Sequence, residues 1–259
     1  MPLTIGTNIG ALWASAAITS HQRGAETAMA RLASGKRINS SADDPAGVAI
    51  ASRMNSEIRS TSQAIRNALD GQALLDTAEG GHKEVENILQ RMREIAVQAA
   101  NDTNSAQDRD NLNAEMKALS TEIDRISSVT SWAGQNLMGE GRSQFSFQVG
   151  TSINAKSAIT VPINSMSANT LSVDHAAVSV NGPEASRSAI SAIDGAITLV
   201  NSQRSMLGAT SNRLSYAVNN LTNVSNNLTA ALGRIQDADY AAEITALAKH
   251  QILQKAAMA

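Results

Sequence analysis

Residues 190–235 read ISAIDGAITLVNSQRSMLGATSNRLSYAVNNLTNVSNNLTAALGRI. Counted in sevens from Ile193, the positions are Ile193, Val200, Leu207, Leu214, Leu221, Leu228 and Ile235, each a large aliphatic residue. The companion series, three residues earlier, holds Ile190, Ile197, Arg204, Ser211, Val218, Ser225 and Leu232, of which four are aliphatic and three polar. A seven-residue repeat with no proline predicts one long helix with a single apolar seam. At about 1.5 Å per residue that helix runs for roughly 70 Å. It cannot bury its seam alone, so the rest of the chain has to supply partners.

Working outward, the N-terminal half carries matching seams. Ile5, Ile9, Leu12 and Ala16 recur at helical spacing in a stretch without Asp, Glu, Lys or Arg. A cleaved signal peptide is not expected there, because the basic n-region is missing and Thr4, Thr7, Asn8 and Ser15 interrupt the apolar run. Gly35 predicts a helix stop, and Asp44 before Pro45 predicts a capped start. The helix that follows presents Val48, Ala51, Met54, Ile58, Ile65 and Leu69, and the pair Gly80–Gly81 predicts a bend or break. Val85, Ile88, Met92 and Ile95 resume the seam. Ser105 with Asp108 reads as a capping box for a helix carrying Leu112, Met116, Leu119, Ile123 and Ile126.

From residue 143 the period changes from helical to two. Phe145, Phe147 and Val149 alternate with polar residues, as do Ile159, Val161 and Ile163, which predicts a β-hairpin region at about 143–175 with Pro162 at an edge. Asn181-Gly182-Pro183 is the turn before the long helix. Beyond Ile235, a last apolar stripe runs through Ile244, Leu247, Ala248 and Ile252. The expected fold is mainly α: a long antiparallel helical rod, coiled-coil-like, with a small β-hairpin region. Met54, Ile58, Met92, Ile123, Leu207, Leu214, Leu221 and Leu228 are its expected core.

Composition excludes several functions. Aromatic residues are only 2% of the chain, which disfavours a globular core around a pocket, and a net charge of −2 points to neither nucleic acid nor an anionic membrane. No apolar run is long enough for membrane insertion. With no cysteine there is no disulfide framework and no thiolate site. The four histidines, His21, His82, His175 and His250, are scattered with no metal-ligand spacing. Neither a nucleophile elbow, a phosphate loop nor a dinucleotide fingerprint is found, so no catalytic residue, cofactor or metal is assigned, and the chain is not expected to be an enzyme. The N-x-S/T triplets at Asn39, Asn220, Asn223 and Asn227 are ordinary in so Asn- and Ser-rich a chain, and no glycan is assigned.

Six segments in order carry a family resemblance: RLASGKRINSSADDPAGVAIA at Arg31–Ala51, LQRMREIAVQAAN at Leu89–Asn101, QVG at Gln148–Gly150, SMLGA at Ser205–Ala209, RIQDADY at Arg234–Tyr240 and QILQ at Gln251–Gln254. Together they resemble the bacterial flagellins, subunits of the flagellar filament, over nearly the whole chain. The resemblance implies an inner core of terminal helices at 1–44 and 235–259, with Ile5, Ile9, Leu12, Ala16, Ile244, Leu247 and Ile252 as its assembly seam. It implies an outer core at 45–234. Only Ser167–Ser186 is available for a variable outer domain, so a minimal form is expected. Family members usually continue beyond the position of Ala259, so a shortened C-terminal partner for Met1–Ser20 is expected.

Further implications of the resemblance are self-assembly into a helical homopolymer, type III export to an extracellular flagellum, and contacts with an export chaperone and with hook-junction and cap proteins. The segment around Leu89–Asn101 resembles the surface that makes subunit contacts and that the vertebrate flagellin-sensing Toll-like receptor binds. Carried over by position, that surface is Arg91, Ile95, Gln98 and Glu115. Two neighbouring readings are a hook–filament junction protein and a flagellin-like cell-surface binding paralogue. A chemoreceptor-type signalling rod is disfavoured by the alternation at Phe145–Ile163.

Overall fold

Capping chemistry sets the helix boundaries. The computed structural model describes residues 8–139, 144–152 and 154–258. Helix α1 (Ile9–Ser34) starts where the Asn8 side chain accepts from the Ala11 amide at 3.1 Å, and it ends at Gly35, whose φ of 69° is the left-handed cap. Helix α2 (Pro45–Ala99) follows Asp44, whose carboxylate accepts from the Gly47 amide at 2.8 Å. Helix α3 (Ala106–Val129) has a reciprocal capping box between Ser105 and Asp108. Those Ser105 hydrogen bonds hold the Asp108 carboxyl below the usual carboxylate range. Helix α4 (Pro183–Gln236) begins at the proline after Gly182, and α5 (Tyr240–Met258) is capped by the Asp239 carboxylate, which accepts from the Ala241 and Ala242 amides.

Between α3 and α4 lie two antiparallel pairs. Strands β1 (Ser131–Trp132) and β2 (Gln135–Asn136) close over Ala133 and Gly134, both at positive φ, as a tight hairpin turn requires. Strands β3 (Gln144–Gln148) and β4 (Ala158–Pro162) pair with Phe145 opposite Val161 and Phe147 opposite Ile159. The period-two reading is therefore correct for both strands. Pro162 has an edge role of its own, since its carbonyl accepts from Gln203 Nε2 at 2.7 Å.

The chain divides into two compact units, Met1–Ser60 with Asn223–Ala259, and Thr61–Thr222. In the first, α1 packs on α5. The turn regions are stitched by backbone hydrogen bonds from Arg37 N to Gln236 O at 2.7 Å and from Ala238 N to Gly35 O at 3.0 Å. Arg31 and Glu243 pair at 3.0 Å, and the Tyr240 hydroxyl donates to the Leu32 carbonyl at 3.1 Å. Among the described residues, the buried apolar side chains of this unit are few and mostly small: Ala25, Ala28, Ile38 and Ala51.

The second unit has a continuous core, and here the long repeat is realised with one correction. Ile193, Val200, Leu207 and Leu214 are buried, as expected from the sevenfold count. Their fully buried companions are Ser186, Ala189, Ala196, Gln203 and Thr210, while Ile190 and Ile197 of the expected series are half-buried and pack against the same core. Ala189 and Ala196 let the neighbouring elements approach closely, and Gln203 is retained to hold Pro162. Arg204 instead lies half-buried between Glu79 at 2.7 Å and Glu86, and the Glu79 hydrogen bond is the main cause of its raised basicity.

Further expectations are corrected by packing. Helix α2 does not break at Gly80–Gly81; a Cβ on Gly81 would sit 2.6 Å from Met138 Sδ, so that glycine marks a close approach. Ala64 and Ala68 face inward where Ile65 and Leu69 are expected to, and Leu69 is exposed. Met54, Ile58, Leu221 and Leu228 are half-buried and not core, whereas Met92 and Ile123 are fully buried. The segment after β4 is no spare linker. It buries Ile163, Met166, Ala168, Leu171, Val173, Val178 and Val180. It is tied down by Ala168 N donating to Asp124 Oδ1 at 2.8 Å and Val180 N to Asn113 Oδ1 at 3.2 Å.

Candidate assembly and recognition surfaces

Two surfaces hold the residues singled out by sequence. The first, in the second unit, is the outward side of α2 beside α3. Met92 and Ile95 turn inward, which leaves Arg91, Glu94 and Gln98 exposed on the same helix. Arg91 reaches across to α3: its Nε and Nη2 donate to Glu115 Oε1 at 3.0 and 2.8 Å, and Nη1 donates to Glu94 Oε2 at 3.0 Å. The Glu115 and Glu94 hydrogen bonds raise the guanidinium further above its usual value. Arg93 turns to the other side and donates to Asp194 of α4 at 2.6 Å. Exposed ion pairs of this type contribute little to folding, so the planar donors of Arg91 are held in place at a water-accessible face.

Ile95 needs a correction. The sequence puts it both in the seam and on the contact surface, but at 1% exposed it belongs to the core and offers nothing to a partner. A periodicity argument alone assigns it inward; the position carried over from the resemblance does not. Glu94 and the half-exposed Val97 were missed on this face. Glu94 was within reach of sequence reasoning, because it lies three residues after Arg91 on one helix face.

The second surface, in the first unit, lies on α1 and α5. Ile9 is 62% exposed, Leu12 59%, Trp13 76%, Ile244 56% and Ile252 66%. Ala16 is exposed and Leu247 half-buried; Ile5 lies outside the described residues. Trp13, the most exposed of them, was not singled out by spacing. Large aliphatic and aromatic side chains gathered on two paired helices are a marker of association. Among the described residues no group of three or more His, Asp or Glu is placed to hold a metal, and no helix is long and apolar enough to cross a membrane.

Two helices of more than fifty residues, with small antiparallel strand pairs between α3 and α4 and exposed apolar side chains on α1 and α5, define a mainly helical protein of the kind that associates through its surface. The chain belongs to the bacterial flagellin family: residues 5–141 match the bacterial flagellin N-terminal helical region and residues 190–259 the C-terminal helical region. It is 41% identical over 166 residues to polar flagellin F of Vibrio parahaemolyticus, covering 64% of this chain and 44% of that protein. It is 43% identical over 152 residues to flagellin A of Vibrio cholerae, covering 59% and 40%. The chain thus spans less than half the length of these curated relatives. Its fold is similar to the crystal structure of Bacillus cereus flagellin, with a TM-score of 0.53 at 29% identity, covering 64% of this chain and 94% of that one. The fold of FliC from Burkholderia pseudomallei is also similar, with a TM-score of 0.50 at 19% identity, covering 55% and 99%.

Proposed function

We propose that the chain is a non-enzymatic structural subunit that polymerises into the extracellular bacterial flagellar filament used for motility. The observation that carries this reading is the exposure of large apolar side chains on α1 (Ile9, Leu12, Trp13) and on α5 (Ile244, Ile252). Two copies joined through unlike surfaces that do not close on themselves generate a helical polymer, and family membership makes the flagellar filament that polymer. In this reading residues 1–44 and 235–259 form the inner core and 45–234 the outer core. Export without a cleaved leader and contacts with an export chaperone and with hook-junction and cap proteins follow from it.

The exposed Arg91 and Gln98, with the half-buried Glu115, make a lateral subunit contact, and the same face, free in the monomer, is the one a vertebrate flagellin-sensing Toll-like receptor would engage. The experiment is polymerisation of the purified chain and of Leu12→Asp, followed by sedimentation and electron microscopy. Filaments from the parent and none from Leu12→Asp, with an unchanged melting transition, are expected. A Leu12→Asp chain that polymerises like the parent overturns the reading.

A further inference from the structure

We propose that His21 and His250 together bind one divalent transition-metal cation of borderline type (Zn²⁺, Ni²⁺ or Cu²⁺), and that the bound ion clamps α1 to α5. The two residues lie on different helices near opposite ends of the sequence, yet their ring centroids are 5.7 Å apart with the planes at 46°. A tetrahedral ion with metal–nitrogen distances of about 2.0–2.1 Å holds two imidazoles with their centres roughly 5 Å apart. Small side-chain rotations bridge that difference.

The site is shaped for an imidazole. The His250 ring lies against Gly24, one turn along α1 from His21, and a Cβ at Gly24 would be 2.5 Å from Cε1, 2.6 Å from Nε2 and 2.8 Å from Nδ1. Any residue other than glycine would push the ring away from its place beside His21. His250 Nδ1 is also buried without a hydrogen-bond partner. In the neutral ring one nitrogen carries an uncommitted lone pair, and a buried polar atom with no partner is uncommon enough to need a reason. Coordination to a cation shared with His21 supplies one.

The charges nearby permit it. On the half-buried sides of α1 and α5 the other charged residues are Arg31 and Glu243, which neutralise each other at 3.0 Å; Arg23, Glu26, Lys249 and Lys255 are exposed. With two protein donors the remaining coordination positions go to water, so binding is reversible, and Cu²⁺ is held more tightly than Ni²⁺ or Zn²⁺. An ion that binds only the paired helices, at ten times its dissociation constant, shifts the paired-to-unpaired ratio about elevenfold.

The test is titration calorimetry of the full chain with NiCl₂ near neutral pH, paired with hydrogen exchange of α1 and α5. One ion per chain is expected, with slowed exchange of both helices and reversal by chelator. His21→Gln and His250→Gln should each abolish both effects, and His175→Gln, at an exposed histidine of the other unit, should keep them. Should His250→Gln loosen the helix pair without metal, His21→Gln decides. No stoichiometric Ni²⁺ binding by the parent, or an unchanged titration in His21→Gln, overturns the proposal.

Discussion

Leu214 and Leu221 occupy the same register of one heptad repeat, yet Leu214 is fully buried and Leu221 half-buried. That difference gives a quantitative prediction. Truncating a fully buried leucine removes its transfer free energy and leaves a cavity, at about 2–5 kcal/mol. Leu214 sits within Thr61–Thr222, and for a unit of that size each kcal/mol moves the thermal midpoint by about 2–4 °C. Leu214→Ala should therefore lower the midpoint by roughly 4–20 °C. Leu221→Ala loses a side chain already partly in water and should lower it by less than half as much as Leu214→Ala. Calorimetry or circular-dichroism melting of the monomer, with exposed Asn219→Ala as the baseline, measures all three. Equal shifts for Leu214→Ala and Leu221→Ala would falsify the account of where the seam is covered.

Three further expectations are simpler. His82 is fully buried, with Nδ1 2.6 Å from the Ala78 carbonyl and Nε2 without a partner, and burial lowers its pKa. The unfolded chain then binds more protons than the folded one below about pH 6.5, so the stability from neutral His82 is complete above that pH and is lost as pH falls below it. His82→Gln should flatten the melting-midpoint profile in that window. Ser105→Ala removes the α3 cap and should cost about 0.5–2 kcal/mol, read as a shifted urea midpoint at constant slope. Arg91→Ala should leave monomer melting almost unchanged while weakening receptor binding at least about thirtyfold, the ~2 kcal/mol scale of an interface hot spot; an unchanged affinity measured by surface plasmon resonance would show that Arg91 only ties α2 to α3.

Much of the fold was legible because capping and periodicity are local. Asp44-Pro45, Ser105 with Asp108, and Gly35 each marked a real boundary, and Phe145, Phe147, Ile159 and Val161 gave the hairpin its period. The errors have one common physical source. Reading a seam from hydrophobicity prefers isoleucine and leucine to alanine, but a tightly approaching helix needs small residues on the near side. So the fully buried positions are Ala64 and Ala68 rather than Ile65 and Leu69, and Ala189 and Ala196 lie deeper than the half-buried Ile190 and Ile197 beside them. By local propensity Gly81 weakens α2, yet a long-range neighbour, Met138, requires its lack of a side chain. The strap from Met166 to Val180 keeps no single period along its length, and it is fixed by hydrogen bonds to Asp124 and Asn113 of α3 that no local pattern announces. At the candidate surface, Arg91 was visible as an outward charge. Its commitment to Glu115 depends on how α3 packs.

The contrast between the two units bears on why an assembling subunit would be built this way. In Thr61–Thr222 the repeat Ile193, Val200, Leu207 and Leu214 is covered, and the burial of Leu75, Leu89, Met92 and Ile123 accompanies it. In the unit holding α1 and α5, the same kind of spacing at Ile9, Leu12, Ile244 and Ile252 leaves the larger side chains exposed, with only Ala25 and Ala28 buried on α1 and none on α5. The fully buried apolar side chains on these two helices are two alanines, and at about 25 cal/mol per Å² of apolar surface so small a core stabilises the pair weakly against the entropy of ordering the chain. The large residues kept off the α1–α5 contact are the ones with the most to gain from a second copy. In the filament proposed above, a unit that is weak alone and apolar outside would gain order when its neighbours arrive, staying monomeric in dilute solution and becoming rigid in the polymer.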